Sequence, residues 1–131
     1  MSMFPITSLY AALLMILLVV LSGMVIRSRV VHRVELGDGG NPDLLRMIRV
    51  QANFSEHVPL ALVGIALVES GGHNPWLVHA LGAGLVIGRV LHAVGLARTS
   101  GPSTGRFIGM NLTYLALLVS AGALIYSLAL K

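Results

Sequence analysis

The sequence predicts an all-α fold, an integral membrane four-helix bundle, from three observations. Of its 131 residues, 56% are hydrophobic and only 11% are charged, and the mean hydropathy is +0.86. Long apolar runs of membrane-crossing length alternate with short polar loops. Basic residues gather in every second loop. An average soluble domain is about 25% charged, and one small core cannot hide this much apolar surface. An ordinary soluble enzyme and a disordered tail are therefore excluded. So is a nucleic-acid binder, despite a pI near 10.4, because the basic charge is too thin to form a polar surface. With no cysteine, disulfides, thiolate metal sites and a cysteine nucleophile are excluded too.

The whole chain, 1–131, reads as a single domain with spans near 5–28, 42–70, 75–98 and 104–130. Residues 1–26 hold no charged side chain, and about 20 apolar residues suffice to cross a bilayer. A cleavable leader would begin with positive charge, whereas here the arginines follow the run, so the first span is retained. The second span begins at Asn41, a capping residue, with Pro42 at the first helical position and Asp43 beside the positive helix end. Gly71-Gly72 ends it, and Asn74-Pro75 opens the third span. A helix over 42–70 is roughly 43 Å long against a hydrocarbon core of about 30 Å. Its first turns, with Arg46 and Arg49, therefore project into headgroups and water. Pro59 lies inside this span, frees the Ser55 carbonyl and predicts a kink. Phe107–Leu130 is uncharged and makes the fourth span.

Charge orients the bundle. Arg27, Arg29, Arg33, Arg46 and Arg49 surround the first loop, and Arg98 and Arg106 surround the third. Only Lys131 lies at the opposite end. The positive-inside rule then puts the Arg-rich loops in the cytoplasm and both termini outside. Trp76, with His73 and His79 nearby, fits the outer interface.

Ionisable residues within spans are costly and mark sites by default. Arg46, Arg49, Asn53, Glu56 and His57 fall within about 100° of one another on a helix, and Gln51 lies off this stripe. Arg89 and His92 share a face of the third span. Glu56 has two readings: a pair with an arginine such as Arg89 that ties two spans together, or part of a ligand site. The excess of arginines at one end favours a site that gathers an anion. Arg106 opens the fourth span, where a cation opposes the helix dipole unless an anion joins it. A zinc site from Glu56, His57 and His92 is disfavoured by these arginines, and no metal is expected. Gly84-x-x-x-Gly88 permits a close helix contact without naming the partner.

The segment Arg49-Val-Gln51-Ala-Asn53-Phe-Ser-Glu56-His57-Val-Pro59 resembles the span-two signature R-x-Q-x-N-x-x-E-[YH]-x-P of the MAPEG family, the membrane-associated proteins in eicosanoid and glutathione metabolism. Arg29 resembles a family arginine that reaches the ligand. Gly88-Arg89-Val-Leu-His92 resembles the span-three G-R-x-x-H/Y segment, and Arg106 stands where the family has its thiol-activating arginine. Short bacterial members, with a loop like Gly37-Asp38-Gly39-Gly40, are most alike. The resemblance implies a homotrimer in a bacterial inner membrane, with glutathione bound as cosubstrate between protomers near the cytoplasmic face. Arg29, Arg49 and Arg89 would pair with its carboxylates or with structural acids. Asn53 and Glu56 would take its amide and amino groups, with His57 and His92 beside them. Gln51 would serve the site across the trimer interface. Arg106 would hold the thiolate, which attacks a lipophilic small molecule arriving through the membrane lipids. The sequence departs from the family at His57, a tyrosine in eukaryotic members; at Leu96, where span three often offers a second tyrosine; and at Phe107, a serine in prostaglandin-making members.

The function expected is a glutathione transferase or peroxidase acting on lipophilic electrophiles. A second reading is a non-enzymatic, lipid-binding accessory protein, since the family includes one. A small transporter is a third, but its polar groups would be spread through the spans rather than clustered at one end.

Overall fold

The computed structural model describes residues 3–99 and 101–130, all organised around four antiparallel helices. They are α1 (Pro5–His32), α2 (Pro42–Ser70), α3 (Pro75–Arg98) and α4 (Thr104–Ala129). Lys131 lies outside the described residues. Three helices, α1, α3 and α4, are long and apolar enough to cross a membrane. The fourth, α2, carries the charged stripe. It packs on all three others, whereas α1 and α4 make no mutual contact among the described residues.

Local chemistry explains the boundaries. Asn41 accepts hydrogen bonds from the backbone of Asp43 and Leu44 at 2.9 and 3.0 Å, and Pro42 takes the first position. Asn74 does the same for Trp76 at 2.9 Å, with Pro75 following. Both starts follow from residue type and position. The end of α1 lies a turn beyond its expected position near residue 28. Arg33 closes it in the left-handed region (φ 55°), while Val34 N–H reaches the Arg29 carbonyl at 3.0 Å. That closure satisfies carbonyls usually covered by a glycine cap, and no glycine here announces it. Through Pro59, α2 continues unbroken to Ser70.

The core lies between α2 and α3, with Leu14 and Leu21 from α1, Phe54, Val58 and Ile65 from α2, and Leu85 from α3. Glycine brings α3 and α4 together most closely. A Cβ on Gly109 would stand 2.4 Å from the Gly88 carbonyl oxygen, and one on Gly105 would stand 2.9 Å from the Leu91 carbonyl. Gly84, the other half of the small-residue motif, has nothing within 4 Å. The close helix contact therefore runs through Gly88 to α4 and leaves Gly84 unused within the protomer.

At the end that holds both termini, Glu69 closes the bundle. Its carboxylate oxygens accept from the Ile6 and Thr7 N–H groups, each at 2.8 Å. Those donors are orphans of the first turn of α1, whose own N-cap residue, Phe4, supplies no side-chain cap. An acid in the last turn of a helix is unfavourable to its own dipole, yet here it serves the start of another helix. Glu69→Gln should lower stability by about 1–2 kcal/mol, since it removes a charge and one of two charge-assisted bonds. Thermal unfolding in detergent measures it; an unchanged midpoint would mean the contact contributes nothing. Nearby, Tyr10 meets His79 Nδ1 at 3.0 Å, and His73 meets Ser127 at 2.8 Å. Trp76 is exposed beside His79.

Candidate functional site

At the Arg-rich end, α2, α3 and α4 surround two adjoining hollows. The larger, about 710 Å³, is an open cleft bounded by Asn53, His92, Arg106, Phe107, Met110 and Tyr114. The smaller, about 260 Å³, lies among Arg46, Arg49, Asn53, His92, Leu96 and Arg106. Asn53, His92 and Arg106 line both.

Arg89 organises the floor. It is 1% exposed, and Nη2 donates to Asn53 Oδ1 at 2.7 Å. Nη1 reaches Thr113 Oγ1 at 3.4 Å and Met110 Sδ at 3.7 Å. Its guanidinium also faces the Phe54 ring, 5.9 Å from the centroid. Nε has no hydrogen-bond partner, and among the described residues no carboxylate touches this arginine. Buried cations are ordinarily paired, so neutral oxygens and an aromatic face stabilise Arg89 while its charge stays uncancelled. That charge lies beside the cleft.

Glu56 therefore does not pair with Arg89. Its nearest cation is Arg49, at 3.6 Å, and both side chains are about half exposed (49% and 53%) on the outer face of α2. Arg46 pairs with Asp43 at 2.5 Å within the first turn. His57 Nδ1 donates to the Asn53 carbonyl at 2.9 Å, which leaves Nε2 as its available pole. The His57 ring lies 5.8 Å from that of Tyr114, tilted by 54°. His92 Nδ1 stands 3.5 Å from Arg89 Nη2 and within electrostatic reach of Arg106 and His57.

Arg106 is fixed from two directions. Ser103 caps α4 by accepting from the Arg106 backbone N–H at 3.3 Å, and Nη1 donates to the Gly101 carbonyl at 2.9 Å. The helix end is thus partly satisfied by Ser103 rather than left open for an anion. The glycine seam brings Arg106 alongside α3: a Cβ on Gly95 would stand 2.8 Å from the Arg106 nitrogen.

Asn53, His92 and Arg106 thus meet in one cleft, with Arg89 beneath them and Arg46 and Arg49 at its smaller end. Four expected residues do not line it: Glu56 and His57, placed above, and Arg29 and Gln51. Arg29 donates to the Glu35 and Gly37 carbonyls at 3.3 and 2.9 Å and holds the first loop. Gln51 donates to Ser22 Oγ at 3.1 Å, tying α2 to α1. Among the described residues, no three His, Asp or Glu side chains converge as metal ligands. Thr113, Tyr114 and the glycines of α4 escaped the sequence reading, because an uncharged span offers no phase by which to rank its small and aromatic residues.

The polar groups of this cleft come from the α2 signature and its α3 and α4 counterparts. Residues 7–126 match the MAPEG family. The chain belongs to the MAPEG family. Among curated relatives, the inner membrane protein YecN of Escherichia coli K12 is 37% identical over 114 residues, which covers 87% of this chain and 86% of the relative. Its counterpart in Escherichia coli O6:H1 gives the same values. This MAPEG chain is accordingly a membrane helical bundle of the type associated with glutathione and eicosanoid metabolism.

Proposed function

We propose that this protein is a glutathione-dependent membrane enzyme of the transferase or peroxidase type. It binds the anionic tripeptide in the Arg-rich hollow and delivers its thiolate to a lipophilic electrophile. The observation that carries this reading is Arg89, a buried cation with no carboxylate partner among the described residues, set behind the cleft through its bond to Asn53, with Arg106 on the cleft wall itself. A site with surplus positive charge attracts an anion. Positive charge close to a thiol favours its ionised, nucleophilic form. Asn53 supplies an oxygen acceptor inside the cleft, and Glu56, on the face of α2 that a neighbouring protomer would cover, supplies one for an ammonium group. Phe107 and Met110 give the cleft an apolar wall through which a lipid-soluble partner enters.

The working unit is a homotrimer. Glu56 and Arg49 stand half exposed on a face of α2 that continues through exposed Leu60, Val63 and Leu67. Glu56 stands two turns further into the bilayer than Arg49, where a charge directed at hydrocarbon is costly, and a neighbouring protomer would cover it. Arg29 and Gln51 lie outside the protomer's own cleft and would contribute to a neighbour's. The Arg-rich end faces the cytoplasm, the termini lie outside, and the membrane is the bacterial inner membrane that YecN's name states for that protein.

Glutathione titrated into the purified protein in detergent should produce a saturable rise in thiolate ultraviolet absorbance. No thiolate at millimolar glutathione would overturn the reading. One observation favours a non-enzymatic, lipid-binding role instead: buried Leu96 gives α3 no phenol at this cleft. Lipid co-purification without thiolate formation is its signature.

A further inference from the structure

The larger cleft contains a phenol that no part of the signature assigns. Tyr114 lies on its wall, eight residues and about 12 Å of helix below Arg106. Side chains on a helix lean toward its N-terminus, so the phenol points back along the cleft toward Arg106. The ring is 48% exposed, and its hydroxyl has no hydrogen-bond partner among the described residues. At bilayer depth, where water is scarce, such a hydroxyl favours an acceptor. The neighbouring ring is His57, already committed through Nδ1 to the Asn53 carbonyl. Its fixed tilt, at 5.8 Å, braces the Tyr114 ring. Between Arg106 and Tyr114 the wall is Phe107 and Met110, with Asn111 folded back by its own bond to the Phe107 carbonyl at 2.7 Å.

We propose that Tyr114 is the acid that meets the oxygen of the electrophile, and that the preferred substrate class is the lipophilic α,β-unsaturated carbonyl. This rests on the thiol-transferase reading above. The separation of the two groups selects the class. In a peroxide, the atom attacked and the atom that gains charge are adjacent. In an unsaturated carbonyl they lie at opposite ends of a conjugated unit, which suits a thiolate held near Arg106 and a donor further down the cleft. The thiolate sulfur donates its pair to the β-carbon and a C–S bond forms. The C=C π pair moves to join the α-carbon to the carbonyl carbon, and the C=O π pair moves onto oxygen. Tyr114 gives its O–H proton to that oxygen, and the enol tautomerises to the saturated carbonyl. Water returns to Tyr114 a proton equivalent to the one released when the thiol ionised. No oxidant or reductant is consumed.

The test compares the full-length protein with Tyr114→Phe in detergent, with glutathione and two electrophiles. Trans-2-nonenal carries the conjugated oxygen; benzyl chloride carries none and reacts by displacing chloride. The kcat/KM ratio of nonenal to benzyl chloride should fall at least tenfold in the variant. A loss of equal size on both substrates, which a purely structural role gives, overturns the proposal, and so does no loss on either. Wild-type protein that forms thiolate but conjugates neither compound overturns this proposal and leaves thiol binding standing. Wild-type protein that forms no thiolate overturns the transferase reading and this proposal with it.

Discussion

Gly109→Ala is expected to pry α3 from α4 and to cost the protein both stability and its site. The new Cβ would stand 2.4 Å from the Gly88 carbonyl oxygen and 2.7 Å from the His92 backbone nitrogen. Both are backbone atoms of a rigid helix and cannot swing aside. Alanine gains about 1 kcal/mol of helix propensity over glycine, but overpacking against immovable neighbours costs about 1–3 kcal/mol or more. At these distances the steric cost wins. The seam also sets how far Arg106 lies from His92, so thiolate formation should weaken together with the melting temperature. Gly84→Ala is the control. Nothing lies within 4 Å of its added Cβ, so propensity alone acts and stability should hold or rise by up to about 1 kcal/mol. A Gly109 variant as stable as the Gly84 variant would show that the helices do not meet through this seam.

Arg106→Ala should leave the fold standing and remove the chemistry. Ser103 caps α4 through the backbone N–H of residue 106, and alanine keeps that donor. What disappears is the guanidinium fixed to the Gly101 carbonyl, and with it the positive charge expected to hold the thiolate. Turnover should fall about 100-fold or more, the usual cost of losing a preorganised charge-stabilising donor. The glutathione-dependent absorbance should vanish while the thermal midpoint moves little. Arg106→Lys should recover part of both signals, since it restores a charge without the planar fork. Full thiolate absorbance in the alanine variant would remove Arg106 from the mechanism.

The legible parts of this protein are those written in local chemistry. The Asn41-Pro42 and Asn74-Pro75 starts are specified by cap and ring within two residues. The polar stripe of α2 follows from helical period alone. Other features depend on which faces meet, and a single chain read in order does not state that. Glu56 was open between two readings, and its observed partner is Arg49 on its own helix. Gln51 turns to Ser22 because α1, not α4, covers that side of α2. The last turn of α1 depends on Arg33 entering a conformation its residue type does not advertise. Glu69 did leave a trace, an acid at the wrong end of a helix dipole, and its partner became visible only once α1 lay beside it.

The glycine seam also fixes an order in time. α2 carries the recognisable motif, but Arg106 and Tyr114 belong to α4, which ends about 60 residues after α2. At 5–20 residues per second, α2 waits roughly 3–12 s before α4 is complete. Throughout that interval the chain has Asn53, joined by His92 as α3 follows, and no α4 wall to face them. A chain truncated ahead of α4 would therefore carry the family's most recognisable motif and none of the α4 side of the cleft, so the cleft exists only once α4 has followed the other three helices.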